Sequence, residues 1–159
     1  MTVWPLRPQM HFVGNEPAIK VACDNNYKNT LVMATPLTIN SPKVRTLINK
    51  NIKDNETIFL LPCEGLANAI ENNNVNEIDS ILNNLLNYYI DKNIDSIVLG
   101  CTHYPIIKDK IQNYFPNAKI IDGNIGVAKR VKHILESNNL LNASFVNEEL
   151  EFIQTKKEK

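Results

Sequence analysis

Cys101, Thr102 and His103 stand side by side at the end of an apolar run, so one turn holds a thiol, a hydroxyl and an imidazole. Groups of these types exchange protons or act as nucleophiles when a fold holds them near a substrate. The preceding segment, Ile94-Asp95-Ser96-Ile97-Val98-Leu99, has strand length and β-branched character, and Gly100 follows it. Gly100 permits a sharp bend, Thr102 offers a capping oxygen, and Pro105 opens an amphipathic helix carrying Ile106, Ile107, Ile111 and Phe115. Cys101 is thereby placed near a helix N-terminus, where the macrodipole favours a thiolate or a bound carboxylate. His103 beside it can carry a proton. Free cysteine is also among the most buried residue types, so these residues alone leave apolar filler and a reactive thiol both open.

The elements that must position this turn alternate. Strands are expected near Leu31 to Ala34, Thr57 to Leu61, Asp95 to Leu99 and Lys119 to Ile121, with a further one near Leu150 to Gln154. Helices are expected near Ser41 to Lys50, Gly65 to Asn72, Asn76 to Lys92, Pro105 to Tyr114 and Ile125 to Ser137. Short strands separated by single helices imply βαβ crossovers, hence an α/β fold with a parallel sheet flanked by helices. Ligands of such sheets bind beyond the carboxyl ends of the strands. Those ends carry Thr35 with Thr38, then Cys63, then Cys101-Thr102-His103, then Asp122. The Leu82, Leu85, Leu86, Tyr89 series has helical spacing and reads as core packing, while His133, among Lys129, Arg130 and Lys132, reads as solvent-facing.

Composition narrows the class. The chain of 159 residues is one domain's worth, 43% of it hydrophobic, with no apolar stretch able to span a membrane. Lys plus Arg equals Asp plus Glu at 17 each, so no basic field recruits nucleic acid or an anionic membrane. Three cysteines without CxxC spacing argue against a disulfide scaffold and for a reducing, cytoplasmic compartment. Cys63, Cys101 and His103 match no structural zinc pattern, and no metal is expected. Trp4 and the prolines near it read as an irregular arm, and Lys156 to Lys159 as a solvated tail.

Leu99-Gly-Cys-Thr-His-Tyr-Pro105 resembles the second catalytic-cysteine motif of glutamate racemase, in the aspartate/glutamate racemase family. Phe12 to Lys20 resembles that family's Val-Gly-Val-Glu-Pro-Ala segment, with Asn15 in place of an apolar residue. Leu31 to Thr38 resembles its Gly-Thr-x-x-Thr strand and turn, with Ala34 replacing the glycine. Leu61 to Glu71 resembles the Cys-Pro segment with its acidic helix, and Ile120 to Gly123 the next strand and turn, so the resemblance runs over about residues 12 to 135. The Asp-Ser-Gly-rich start and the first cysteine turn of the family do not occur; Cys23 echoes that turn but falls at a different position and reads as helix packing. The expectation is a racemase-type chain lacking the half-domain with the first catalytic cysteine, through truncation, frameshift or incomplete gene prediction.

The resemblance implies one lobe of a two-lobed fold plus the C-terminal part of the other: an irregular arm over 1–11, an α/β lobe over 12–121, and a segment over 122–159 that returns to the first lobe. It implies cofactor-free interconversion of L- and D-glutamate by thiol acid–base proton transfer, supplying D-glutamate for peptidoglycan. Carried over residue by residue, Cys101 is the acid–base group on one face and His103 tunes or relays its proton. Thr102, Thr35 and Thr38 contact the substrate, and Glu71 supports His103. Tyr104-Pro105 favours the glutamate branch over other racemases of the superfamily. A chain with one of two thiols should be weakly active or inactive alone, and the competing class is a non-catalytic binding or regulatory remnant. The partners implied are glutamate, and either a second copy or a complementary N-terminal half. Without that half, the helix from Ile125 to Leu135 is expected to expose apolar surface.

Overall fold

The computed structural model describes residues 18–141. The arm at Trp4, the segment from Phe12 to Pro17, His11, the strand expected near Leu150 to Gln154 and the tail lie outside them. Four strands, β1 (Asn29–Ala34), β2 (Thr57–Pro62), β3 (Ser96–Leu99) and β4 (Lys119–Asp122), form one all-parallel sheet in the order β2-β1-β3-β4. Each expected strand of the described residues is present, as a short apolar run between turn residues; the two central strands, β1 and β3, are buried almost throughout, and the outer two only in part.

The side-chain alternation of β1 divides the core in two. Leu31 and Met33 point to a face covered by α4 (Leu66–Glu71), α5 (Val75–Leu86) and α6 (Lys108–Tyr114), where Leu66, Leu82, Leu86 and Ile111 are fully buried. Val32 and Ala34 point to the other, covered by α1 (Ile19–Asp24), α2 (Pro36–Ile39) and α3 (Pro42–Asn51) through Ile19, Ile39 and Val44. Helices on both faces are what right-handed crossovers require when the chain first moves outward from β1 to β2 and then back across to β3. Leu82 and Leu86 lie in this core with Leu85 and Tyr89 packed against it, as their spacing predicts.

Two expected helices differ in form, and two short helices have no counterpart among those expected. The helix expected from Asn76 to Lys92 is α5 followed by a 3-10 helix over Asn87–Lys92, whose tighter winding sets Tyr89 edge-on to Phe59 at a centroid distance of 5.8 Å. The helix expected to open at Pro105 begins as a 3-10 turn over Tyr104–Ile107 before α6, with Tyr104 drawn inward and Ile106 left outside. α1 and α2, of six and four residues, are too short to show a helical period. After β4, α7 (Asn124–Ser137) forms as expected and holds no buried residue; Ile125 and Val131 remain 69% and 40% exposed.

Candidate active site

The β2-β1-β3 order makes the boundary between β1 and β3 the point where the chain's path across the sheet reverses, and ligands of open parallel sheets bind there. Register fixes what stands at that point. Met33 is paired with Leu99, and two residues beyond each come Thr35 and Cys101, at one level past neighbouring strand ends.

Gly100 does not bend the chain; its N–H still donates to the Met33 carbonyl at 2.7 Å, and the turn begins after it. The Cys101 carbonyl then accepts from the N–H of Tyr104 at 3.2 Å, and that of His103 from Ile106 at 3.1 Å. Inside this turn the half-buried Cys101 Sγ lies 3.7 Å from His103 Nδ1, within reach of a sulfur hydrogen bond in either tautomer. The capping oxygen expected of Thr102 is not used. His103, not Thr102, borders the 3-10 turn, no side chain caps it, and Thr102 is exposed.

At the end of β1 the Thr35 hydroxyl oxygen accepts the N–H of Thr38 at 3.4 Å and lies 3.0 Å from the Thr38 hydroxyl. This closes α2, with Pro36 in its first position where a missing N–H leaves nothing unpaired. Both hydroxyls are half-buried, and together they form a fixed pair of donors and acceptors beside the thiol turn.

The remaining expected residues divide. Cys63 follows β2, buried, with Sγ 3.4 Å from the Leu61 carbonyl, and loss of water pushes its thiol up to about 12. It is therefore a poor proton donor or nucleophile near neutral pH. Gly65, at φ 73°, takes the left-handed turn by which the chain passes from Cys63 into α4. Cys23 packs within α1 as expected, its thiol raised by burial and by Glu56. Glu71, expected to support His103, is exposed at the end of α4, and no hydrogen bond joins the two. Asp122 turns its Oδ1 to the N–H of Asn124 at 2.9 Å, and His133 is exposed as read. Among the described residues, no group of three or more His, Cys, Asp or Glu is arranged to hold a metal ion, and no helix is long and apolar enough to cross a membrane. A cavity of about 310 Å³ between α5 and α6, lined by Asp79, Lys110, Asn113 and Tyr114, includes none of the strand-end residues.

Sequence reasoning missed the role of the Tyr104 ring. It is fully buried, and its Oη donates to the Cys63 carbonyl at 3.4 Å, linking turns that are far apart in the chain. No local period signals such a contact.

No protein-family model matches the chain. Among curated proteins it is similar to the glutamate racemase of Clostridium perfringens strain SM101, 42% identical over 132 residues, covering 80% of this chain and 50% of that one. It is likewise similar to that of Bifidobacterium adolescentis, 38% identical over 79% of this chain and 51% of the other. The chain thus spans about half the length of the curated relatives it matches. Among solved structures, the glutamate racemase of Francisella tularensis in complex with D-glutamate superposes with a TM-score of 0.66 at 34% identity, over 80% of this chain and 48% of that one. The Escherichia coli glutamate racemase superposes with the same TM-score at 23% identity, over 78% and 48%, which bears on the fold alone.

Proposed function

We propose that this chain, a relative of the glutamate racemases over the stretch it shares with them, carries one thiol half-site for cofactor-independent inversion at the α-carbon of glutamate. The observation that carries this reading is the Cys101–His103 pair at 3.7 Å, level with Thr35 at the reversal point of the sheet.

The α-proton of an amino acid is very weakly acidic, so its removal needs a base on one face, an acid on the other and stabilisation of the developing charge. Cys101 would act on one face, with His103 tuning or relaying its proton. Thr35 and Thr38 would hold a substrate carboxylate through their hydroxyls, and Thr102 would add its own exposed hydroxyl. The ligand of the Francisella protein, D-glutamate, is the substrate class this arrangement suits. The group for the opposite face would come from a second lobe or a second chain, since Cys23 and Cys63 are buried. Leu37 and Ile106, 86% and 74% exposed, border these strand ends and would lie beneath such a lobe. With one of two acid–base groups, the chain alone would racemise roughly a hundredfold to ten-thousandfold more slowly than a complete pair. Its role in the cell would be to supply D-glutamate for peptidoglycan, in the cytoplasm.

That Cys101 is the one accessible thiol at the described site also favours a second reading, a module that binds an acidic amino acid without turnover. Deuterium exchange at the α-carbon of separate L- and D-glutamate samples in D₂O separates the two. Exchange of one enantiomer that vanishes in Cys101→Ala supports a working half-site. Binding of glutamate without exchange of either enantiomer supports the second reading.

A further inference from the structure

We propose that Tyr104 is a positioning residue that sets the place of Cys101 and His103 relative to the Thr35–Thr38 turn; this rests on the reading of Cys101 as the acid–base group. Three strand ends are joined through it. Its N–H holds the Cys101 carbonyl at 3.2 Å after β3, and its Oη reaches the Cys63 carbonyl at 3.4 Å after β2. The N–H of Cys63 in turn donates to the Ala34 carbonyl at 2.8 Å, one residue before Thr35 at the end of β1. The thiol turn is thus tied, through one phenol and the backbone of one residue, Cys63, to the hydroxyl pair on a neighbouring strand.

The tie is built for permanence. The ring is fully buried although the next residue but one, Ile106, is among the most exposed apolar side chains. Burial raises the phenol's ionisation above its usual range, with the thiols of Cys63 and Cys101 and the Glu64 carboxylate adding to this, which favours the protonated hydroxyl near neutral pH. It therefore remains a donor, and the Cys63 carbonyl would otherwise be an acceptor without a phenol to meet it. A tyrosine present for its volume alone would need only the ring, which is where a role in positioning and a role in packing part.

The test is the rate of iodoacetamide labelling at Cys101 between pH 5.5 and 8.5, read by peptide mass spectrometry on the full chain, in the wild type, His103→Asn and Tyr104→Phe. The expected result is that Tyr104→Phe keeps a cooperative thermal transition but changes the rate at Cys101 by roughly two- to tenfold, the worth of one hydrogen bond, and flattens the part of the pH profile that His103→Asn removes. A wild-type rate and profile in folded Tyr104→Phe would overturn the proposal. Should that variant not fold, proton NMR of the wild type decides. A slowly exchanging hydroxyl proton on Tyr104 with a cross-relaxation peak to Cys63 upholds the tie, and a freely exchanging one overturns it. α-Carbon exchange by the wild type with labelling indifferent to Tyr104 sinks this inference alone. A Tyr104-dependent profile in a chain that exchanges neither enantiomer sinks the reaction and leaves the positioning role standing.

Discussion

Thr30 and Ser96 share a buried hydrogen bond, with their hydroxyl oxygens 2.7 Å apart, across the β1–β3 pair that also carries Thr35 and Cys101 at its far end. Two polar side chains within an apolar face satisfy each other there, at the join on which the site depends. Ser96→Ala should leave the Thr30 hydroxyl unpaired and cost about 1–3 kcal/mol, whereas Thr30→Val with Ser96→Ala should cost clearly less than the sum of the single changes. Urea unfolding of the three variants measures this, and additive losses would show that the pair is not coupled.

Labelling should single out Cys101. Cys23 and Cys63 are 3% and 1% exposed while Cys101 is half-buried, so native protein should take up one equivalent of iodoacetamide before either of the others reacts. Mass spectrometry of Cys101→Ser should show that first equivalent gone. His103→Asn should slow it by roughly tenfold, through loss of a hydrogen-bond partner to the sulfur.

Alkali should destabilise the fold in a defined window. The Cys63 thiol, ordinarily at 9.0, lies at about 12 in the folded chain, so above pH 9 the unfolded state releases a proton that the folded state keeps. Unfolding is then favoured progressively, by up to about 1.4 kcal/mol per pH unit from this group, as pH rises from 9 towards 12. The Tyr104 phenol, raised in the same direction, adds to the decline, and below pH 9 neither group contributes any slope. Chemical denaturation at pH 7, 9 and 10.5 should show the fall, and Cys63→Ala should make it shallower. An equal fall in that variant would remove Cys63 as its source.

α7 should tolerate charge. With no buried residue on the helix, Ile125→Glu and Val131→Glu should each change stability by no more than about 0.5 kcal/mol. Both should reduce self-association of the chain, measured by light scattering, because they interrupt exposed apolar surface. A loss of several kcal/mol would mean that this helix is packed in solution.

The sheet was legible because its four strands are short apolar runs between turn residues, and a run such as Ile97-Val98-Leu99 allows little else. The site was legible where it is local. Thr35 and Thr38 are three apart, and Cys101 and His103 two apart, so spacing alone brings each pair together. What could not be read is whatever depends on distant partners. Tyr104 meets Cys63 across 41 positions, and Thr30 meets Ser96 across 66. The exposure of Glu71 was hidden for the complementary reason: a position in a motif says nothing of which way a helix end faces. Pro105 pointed correctly to a helical start but not to its 3-10 form, in which Tyr104 is fully buried.

The central place of β1 has a consequence during synthesis. β2 is the first strand made after β1 and can close one of its edges early, but the other edge awaits β3, roughly sixty positions later. Through that interval a nascent chain presents an apolar strand with unpaired N–H and carbonyl groups, a template on which other chains can assemble. Of the two edges of β1, the one that waits longer is the one beside which Cys101 will come to lie, so the segment proposed to carry the chemistry is also the one whose arrival ends the hazard.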